Sequence, residues 1–490
     1  MDKIIFDFNN MFAHAVGNKG GVTELELAKS MPKAICAYRH IQKILADKKS
    51  RISLGLEWAM LPFQEKNTIS GIQKIGDEIA RKYESVISLG IGGSYLGLKA
   101  AQDALASPYY NDFDAVRKGR PQIYFDGNNL DPQTLRVLLN NLDPRKTFVI
   151  VISKSGETTE TKAAFTITEK WLRAGCGKNF GRQIFAITDP ASGTLRKKVS
   201  KAHALDPMSY RSLPVMKGVG GRFSELNIGL LHLAIIGVRI DDVLKGSRDM
   251  AKHCSISNVM KNPALIYALI HTILYKNKAK DIAVMMPFAE TLKSTADWYV
   301  QLLAESLGKK YVRNIARDPD GSEKWTKNKD RIVNVGRTPV SARGTNDLHS
   351  IQQNNIEGED NKVLTFIKIK KFKDDITLRG TGDFLSGKSY SQLLSSAEEA
   401  TEWALAKEDR PSCTIEMPEI SPYYWGGLIF FFEMATAYEG ELLDVNAFDQ
   451  PGVEGYKNCM YYKLGKPGLS GEIKKTIESF PLIKKKRFII

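Results

Sequence analysis

Four consecutive apolar residues, Val149-Ile150-Val151-Ile152, run into the hydroxyl-rich stretch Ser153-Lys154-Ser155-Gly156-Glu157-Thr158-Thr159-Glu160-Thr161. Helical spacing resumes at Lys162-Ala163-Ala164-Phe165. A short, mostly β-branched run bounded by turn residues is the pattern of a buried parallel strand, whose two faces are both covered. The same order of strand, small-residue loop and helix occurs earlier. Asn67–Ser85 predicts a helix, Val86–Leu89 a strand, Gly90-Ile91-Gly92-Gly93-Ser94 a loop and Leu96–Ala106 a helix. Ile123–Phe125 and Ile184–Ile187 predict further strands. It then starts again with strand Ile282–Pro287 and helix Ala289–Leu307, followed by strands Ile332–Val335, Leu364–Ile367 and Ser412–Met417 and a long apolar helix over Tyr423–Tyr438.

Strands alternating with helices at this spacing imply βαβ units and parallel sheets. The expected fold class is therefore α/β, with two domains, each a mainly parallel β-sheet flanked by helices on both faces. The expected organisation is an N-terminal helical segment (1–55, helices at Glu24–Met31 and Lys33–Ala46), a first α/β domain (56–240), a helical linker (241–262), a second α/β domain (263–445) and a C-terminal segment (446–490) ending in an arm with one helix.

Composition narrows the class. The chain has 490 residues, 43% apolar and 26% charged, as in soluble globular proteins. The longest uncharged apolar stretches, Leu226–Val238 and Ile420–Phe432, are too short to cross a bilayer, and the N-terminus shows no signal-peptide pattern. Five scattered cysteines without a CxxC pair argue against a disulfide framework and a zinc site, so a reducing cytoplasm is expected. The net charge of +15 favours anionic partners. No nucleic-acid motif accompanies it, and the one polybasic block, Lys484-Lys485-Lys486-Arg487, reads as a solvated tail.

Candidate chemistry gathers at the loops. The stretch after Ile152 combines free backbone N–H groups, hydroxyls and a helix N-terminus, which suits a phosphate; an ordinary βα loop with Ser and Thr caps fits equally. Gly90–Ser94 lacks full dinucleotide-binding spacing, and its glycines permit either close approach to a ligand or a tight turn. Gly220-Gly221-Arg222-Phe223-Ser224 sets a guanidinium after a flexible loop, where it either holds a carboxylate or stabilises charge developing on a substrate. Gln301 and Glu305 lie four apart on one predicted helix, and Glu305 is open to two roles, general base or surface partner of Lys309. His349 stands apart from the other six histidines in the polar loop Gly344–Gln353, and Phe448-Asp449-Gln450-Pro451-Gly452-Val453-Glu454-Gly455-Tyr456-Lys457 is a turn-rich segment ending in a lysine.

Taken in order and at these intervals, GIGGS, SKSGETTET, GGRFS, AESLGK, GTNDLHSIQQ and FDQPGVEGYK resemble the glucose-6-phosphate isomerase family from about residue 55 to 460. The first two motifs alone mark only a sugar-isomerase (SIS) fold, so the resemblance implies two SIS-like domains. It also implies that Ser153, Lys154, Ser155 and Thr158 hold the substrate phosphate, with Gly93 and Ser94 lining the sugar side and Gln301 and Gln450 binding hydroxyls. His349, with Lys457, would open the ring; Glu305 would move a proton between C2 and C1 through a cis-enediol; Arg222 would stabilise the enediolate. No cofactor and no metal are implied. The implied partners are a phosphorylated hexose and a second copy of the chain, His349 completing the neighbouring site, with neither nucleic acid nor membrane. One departure stands out: Glu225 follows Ser224 where an apolar or small residue is expected. The rival readings are a phosphosugar sensor, which needs only the cradle; another sugar-phosphate isomerase, of which the amidotransferase type would require Cys where Asp2 stands; and a nucleic-acid-binding protein, motivated by charge alone.

Overall fold

The computed structural model describes residues 3–489, in two units: one ending at Ala447, the other beginning at Phe448. The strands of the first unit are β1 (Ile5–Asp7), β2 (Ser85–Leu89), β3 (Gln122–Asp126), β4 (Thr147–Ile152), β5 (Ile184–Thr188), β6 (Arg211–Pro214), β7 (Ile282–Pro287), β8 (Lys309–Arg317), β9 (Glu323–Val335), β10 (Thr338–Ser341), β11 (Lys362–Ile369) and β12 (Ser412–Met417). One five-stranded sheet has the order β3-β2-β4-β5-β6, parallel throughout, with Leu89 opposite Val151. The other runs β1-β12-β11-β7-β10 and is parallel except for β1, which is antiparallel to β12. The expected α/β class with two mainly parallel sheets is what the chain adopts. Every residue of β2, β4 and β5 is buried, which is why these strands read as continuous apolar runs.

Three differences have physical causes. Ile332–Val335 is not part of either parallel sheet; it ends β9, which pairs antiparallel with β8 in a lysine-rich hairpin. The edge place beside β7 goes to β10, a four-residue strand whose Pro339 is tolerated because an edge strand has an unpaired side. The two N-terminal helices are one, Glu24–Ala46, running through Pro32 and started by a capping box between Thr23 and Glu26.

A nearly all-buried helix, Pro422–Leu443, forms the spine of the first unit and packs on helices Ile240–Cys254, Pro263–Lys278 and Lys293–Leu307. Its approach to Ile240–Cys254 is so close that a Cβ on Gly246 would lie 1.7 Å from the Tyr423 carbonyl, and one on Gly426 would lie 2.1 Å from that of Val243. The second unit contains helices Glu454–Lys463 and Gly471–Glu478, the latter in the predicted arm. Among the described residues no helix is long and apolar enough to cross a membrane.

Candidate active site

The loops of the first two motifs, Gly90–Ser94 and Ser153–Thr158, leave one sheet at the C-termini of β2 and β4, the end of an open α/β sheet where ligands bind. After β4, Ser153 is buried and its Oγ accepts the Gly156 N–H at 3.0 Å, while Ser155 Oγ accepts that of Glu157 at 3.1 Å. These short bonds curl the loop into a turn. Gly156 makes that turn at φ +76°, packed against the Leu195 backbone where a side chain has no room. The Thr194 N–H donates to the Ser155 carbonyl at 2.9 Å, tying the turn to the loop after β5. Thr158 is the N-cap of helix Thr159–Cys176 but its hydroxyl makes no capping bond. An anion in this turn would face a helix N-terminus and these hydroxyls.

Lys154 extends the same loop toward the third motif, its Nζ lying 3.5 Å from the Val219 carbonyl. The loop after β2 is fitted against that motif even more closely. A Cβ on Gly93 would lie 1.9 Å from the Gly221 carbonyl oxygen, and one on Gly92 would lie 3.0 Å from Gln301 Nε2. Ser94 lies beside them in the Gly92–Ser94 turn. The glycines therefore serve close approach, of backbone to backbone and backbone to Gln301.

Arg222 is the hub of this cluster and is 1% exposed. Its Nε donates to Ser306 Oγ at 2.7 Å, one terminal nitrogen to Glu305 Oε2 at 3.1 Å, and the other to the Ala447 carbonyl at 2.5 Å. The planar fork thus reaches three acceptors in three directions, a task a lysine cannot perform. Gln301 Nε2 lies 3.3 Å from the other Glu305 oxygen, and Lys309 donates to the Glu305 backbone carbonyl. The Glu305 side chain keeps 29% of its surface exposed, so a carboxylate held from behind still reaches the solvent side of the crevice. Ser306 had no role in the sequence reading; its signal is a hydroxyl on the buried side of a helix, next to the candidate base.

His349 lies at the end of the Asn346–His349 turn and is exposed. Its loop is pinned to the C-terminal end of β7 by Gly344 N–H donating to the Pro287 carbonyl at 3.0 Å. Asp347 serves the loop itself, accepting from the Arg343 N–H, Asn346 Nδ2 and Ser350 Oγ. Gln450 and Lys457 belong to the second unit, where Gln450 precedes the Pro451–Val453 turn and Lys457 Nζ lies 3.3 Å from Glu454 Oε1. The first unit thus brings Gly93, Arg222, Gln301 and Glu305 together, with Lys154 linking the Arg222 loop to the Ser153–Thr158 turn.

Two mainly parallel α/β sheets, a hydroxyl-lined turn suited to a phosphate and an arginine-held carboxylate fit the class of enzymes that act on phosphorylated substrates. The chain matches the family model described as "Phosphoglucose isomerase" over residues 62–358 and 376–467. It is 36% identical to a glucose-6-phosphate isomerase of Carboxydothermus hydrogenoformans over 99% of each chain. It is also 36% identical to that of Symbiobacterium thermophilum over 84% of this chain and 87% of the other. Among solved structures it is similar to a hypothetical protein from Thermus thermophilus, with TM-score 0.77 and 30% identity over 94% of this chain and all of that one. A glucose-6-phosphate isomerase from Chlamydia trachomatis shares the fold, with TM-score 0.68 and 23% identity over 87% of this chain and 81% of that one. The chain belongs to the phosphoglucose isomerase family.

Proposed function

We propose that the chain interconverts glucose 6-phosphate and fructose 6-phosphate in the cytoplasm, as a homodimer, with Glu305 as the base that carries the proton between C2 and C1. The observation that carries this reading is the Gln301–Glu305–Arg222 cluster, fixed at hydrogen-bond distances, with Lys154 reaching from the hydroxyl-lined turn to the Arg222 loop. The phosphate sits in the loop of Ser153, Lys154, Ser155 and Thr158. Anchoring there presents C1 and C2 of the open-chain sugar to Glu305, and orientation of this kind lowers the barrier by making the proton transfer intramolecular. Glu305 takes the C2 proton, a cis-enediol forms, and the same carboxyl returns the proton to C1. Arg222, whose charge lies beside the reacting oxygens, stabilises the enediolate. Gln301 and Gln450 hold hydroxyls, and Gly93 and Ser94 leave room for the sugar chain. His349 and Lys457 move the proton that opens the ring. The exposure of His349 suits its entry into the site of a second copy. The residues 56–240 and 263–445 act as two domains, the first supplying the cradle and the second the base.

Glu305→Gln tests the proposal. It should abolish isomerisation, about 10³-fold or more in kcat, while fructose 6-phosphate still binds. Full turnover by this variant removes Glu305 from the role of base.

A further inference from the structure

The residue that departs from the family pattern, Glu225, is 2% exposed, and so is Glu433 on the spine helix. Glu225 Oε1 accepts from Trp298 Nε1 at 2.8 Å, while its Oε2 is buried and meets no N–H or hydroxyl donor among the described residues. The buried Glu433 carboxyl interacts with that of Glu225. The neighbouring helix makes room: a Cβ on Gly97 would lie 2.2 Å from Glu225 Cγ and 2.5 Å from Oε1. Two carboxyls facing each other in an apolar interior cannot both ionise, and a hydrogen bond between them requires a proton. Glu225 accepts the Trp298 indole N–H and is therefore the anion; Glu433 carries the proton and donates it.

We propose that Glu225 is a positioning residue which, through a proton shared with Glu433, locks the segment of Arg222 to the helix of Gln301 and Glu305. Trp298 is the link. It precedes Glu305 by two helical turns on the same helix, whereas Glu225 opens a short helix three residues after Arg222. The Ser224 hydroxyl donates to the Gly221 carbonyl at 2.7 Å, so the Arg222 loop and the Glu225 helix start as one piece. A shift of that piece would change the Arg222–Glu305 geometry by the fraction of an ångström that proton transfer notices. The inference rests on Glu305 being the base.

The charged neighbours on the surrounding helices are engaged with other partners. Lys99 pairs with Asp103, Lys293 with Asp297, Glu57 with Arg51 and Glu439 with Arg337. Arg222 pairs with Glu305, and His232, bonded to Gln102, is kept neutral by burial. Burial pushes Glu225 up to about 7, and burial together with the charge of Glu225 pushes Glu433 well above the usual carboxylate range.

The test is kcat and KM of the full-length enzyme between about pH 6 and about pH 8, for the parent, Glu225→Gln, Glu433→Gln and Glu433→Leu, each checked by circular dichroism. The ionised fraction of a group titrating near neutrality changes about tenfold across that window, so the parent kcat should fall several-fold toward acid with KM nearly constant. Glu225→Gln should be held at the low value and flat with pH. Glu433→Gln, whose amide still donates, should exceed Glu433→Leu by about threefold or more. Infrared difference spectra should show a protonated-carboxyl band in the parent that Glu433→Gln lacks, a readout independent of any folding defect in the other variants. A Glu225→Gln enzyme with the parent's kcat and pH profile, or a parent without that band, overturns the proposal. Failure of the base reading is separate: a fully active Glu305→Gln sinks that reading, whereas an inactive one beside an unchanged Glu225→Gln sinks only the pair.

Discussion

Arg222→Lys keeps the positive charge and removes the fork, which makes it the sharpest probe of the site. In the parent the guanidinium serves Ser306 Oγ, Glu305 Oε2 and the Ala447 carbonyl at once, at 2.7, 3.1 and 2.5 Å. A single ammonium on a flexible stem can hold one of these while directed toward Glu305, leaving the other two acceptors unserved in the interior. Each buried acceptor left without a donor costs about 1–3 kcal/mol, so stability should fall by roughly 2–6 kcal/mol. Glu305 loses its fixed backing, and a displacement of about 1 Å in a reacting group costs on the order of 10² in rate. That corresponds to about 2.7 kcal/mol of barrier. The expected kcat is therefore about a hundredfold lower, with KM moved less than about threefold, since the proposed phosphate turn is untouched. The assay follows fructose 6-phosphate conversion by coupling glucose 6-phosphate formation to its oxidation, alongside urea unfolding. An Arg222→Lys enzyme with parental kcat would show that charge alone suffices and the fork geometry is irrelevant. Arg222→Ala should lose on the order of 10²–10³ in kcat and more than Arg222→Lys; equal losses in the two variants would refute a role for the charge.

Two further outcomes follow from other parts of the structure. Gly93→Ala drives a methyl into the Gly221 backbone, which has no flexible side chain to yield, so the Arg222 loop must shift; kcat should drop about tenfold or more, and an alanine variant with parental kinetics would mean the loops are not in contact. His40 sits between two carboxylates, 2.7 Å from Glu441 and 2.8 Å from Glu323, and the hydrogen bond to Glu441 raises its pKa above the ordinary imidazole value. A group whose folded pKa is raised adds stability that is complete below its unfolded pKa and disappears as pH rises through the folded one. The stability gap between the parent and His40→Gln, by urea unfolding, should thus be widest below about pH 6 and close as pH rises above the raised value; a gap that widens with pH would contradict the assignment.

The motifs of the site were legible because each is a local problem of a strand end, a glycine turn or a helix face. Ser153-Lys154-Ser155-Gly156 announces its turn chemistry, and Gln301 with Glu305 announces a shared face. What stayed hidden depended on partners distant in the chain. β1 offers three residues, and only β12 makes them a strand. β10 contains a proline, admissible only because it lies at an edge. The lysine-rich β9 has few buried positions and gave a strand signal only at its end, Ile332–Val335, with no indication that its partner is β8.

By itself, then, the amino-acid sequence determined the fold class and offered the residue types of the candidate site, since hydrophobic period and turn chemistry are written into neighbouring positions. The tertiary structure decided which groups meet. Arg222 pairs with Glu305, where its charge had two open uses, and Lys309 reaches the Glu305 backbone carbonyl. Glu225, a misfit in the linear pattern, finds Trp298, Glu433 and the space left by Gly97. Such pairings depend on packing in a low-dielectric interior, where a carboxyl is tolerated only opposite a donor, and no short stretch of sequence contains both members.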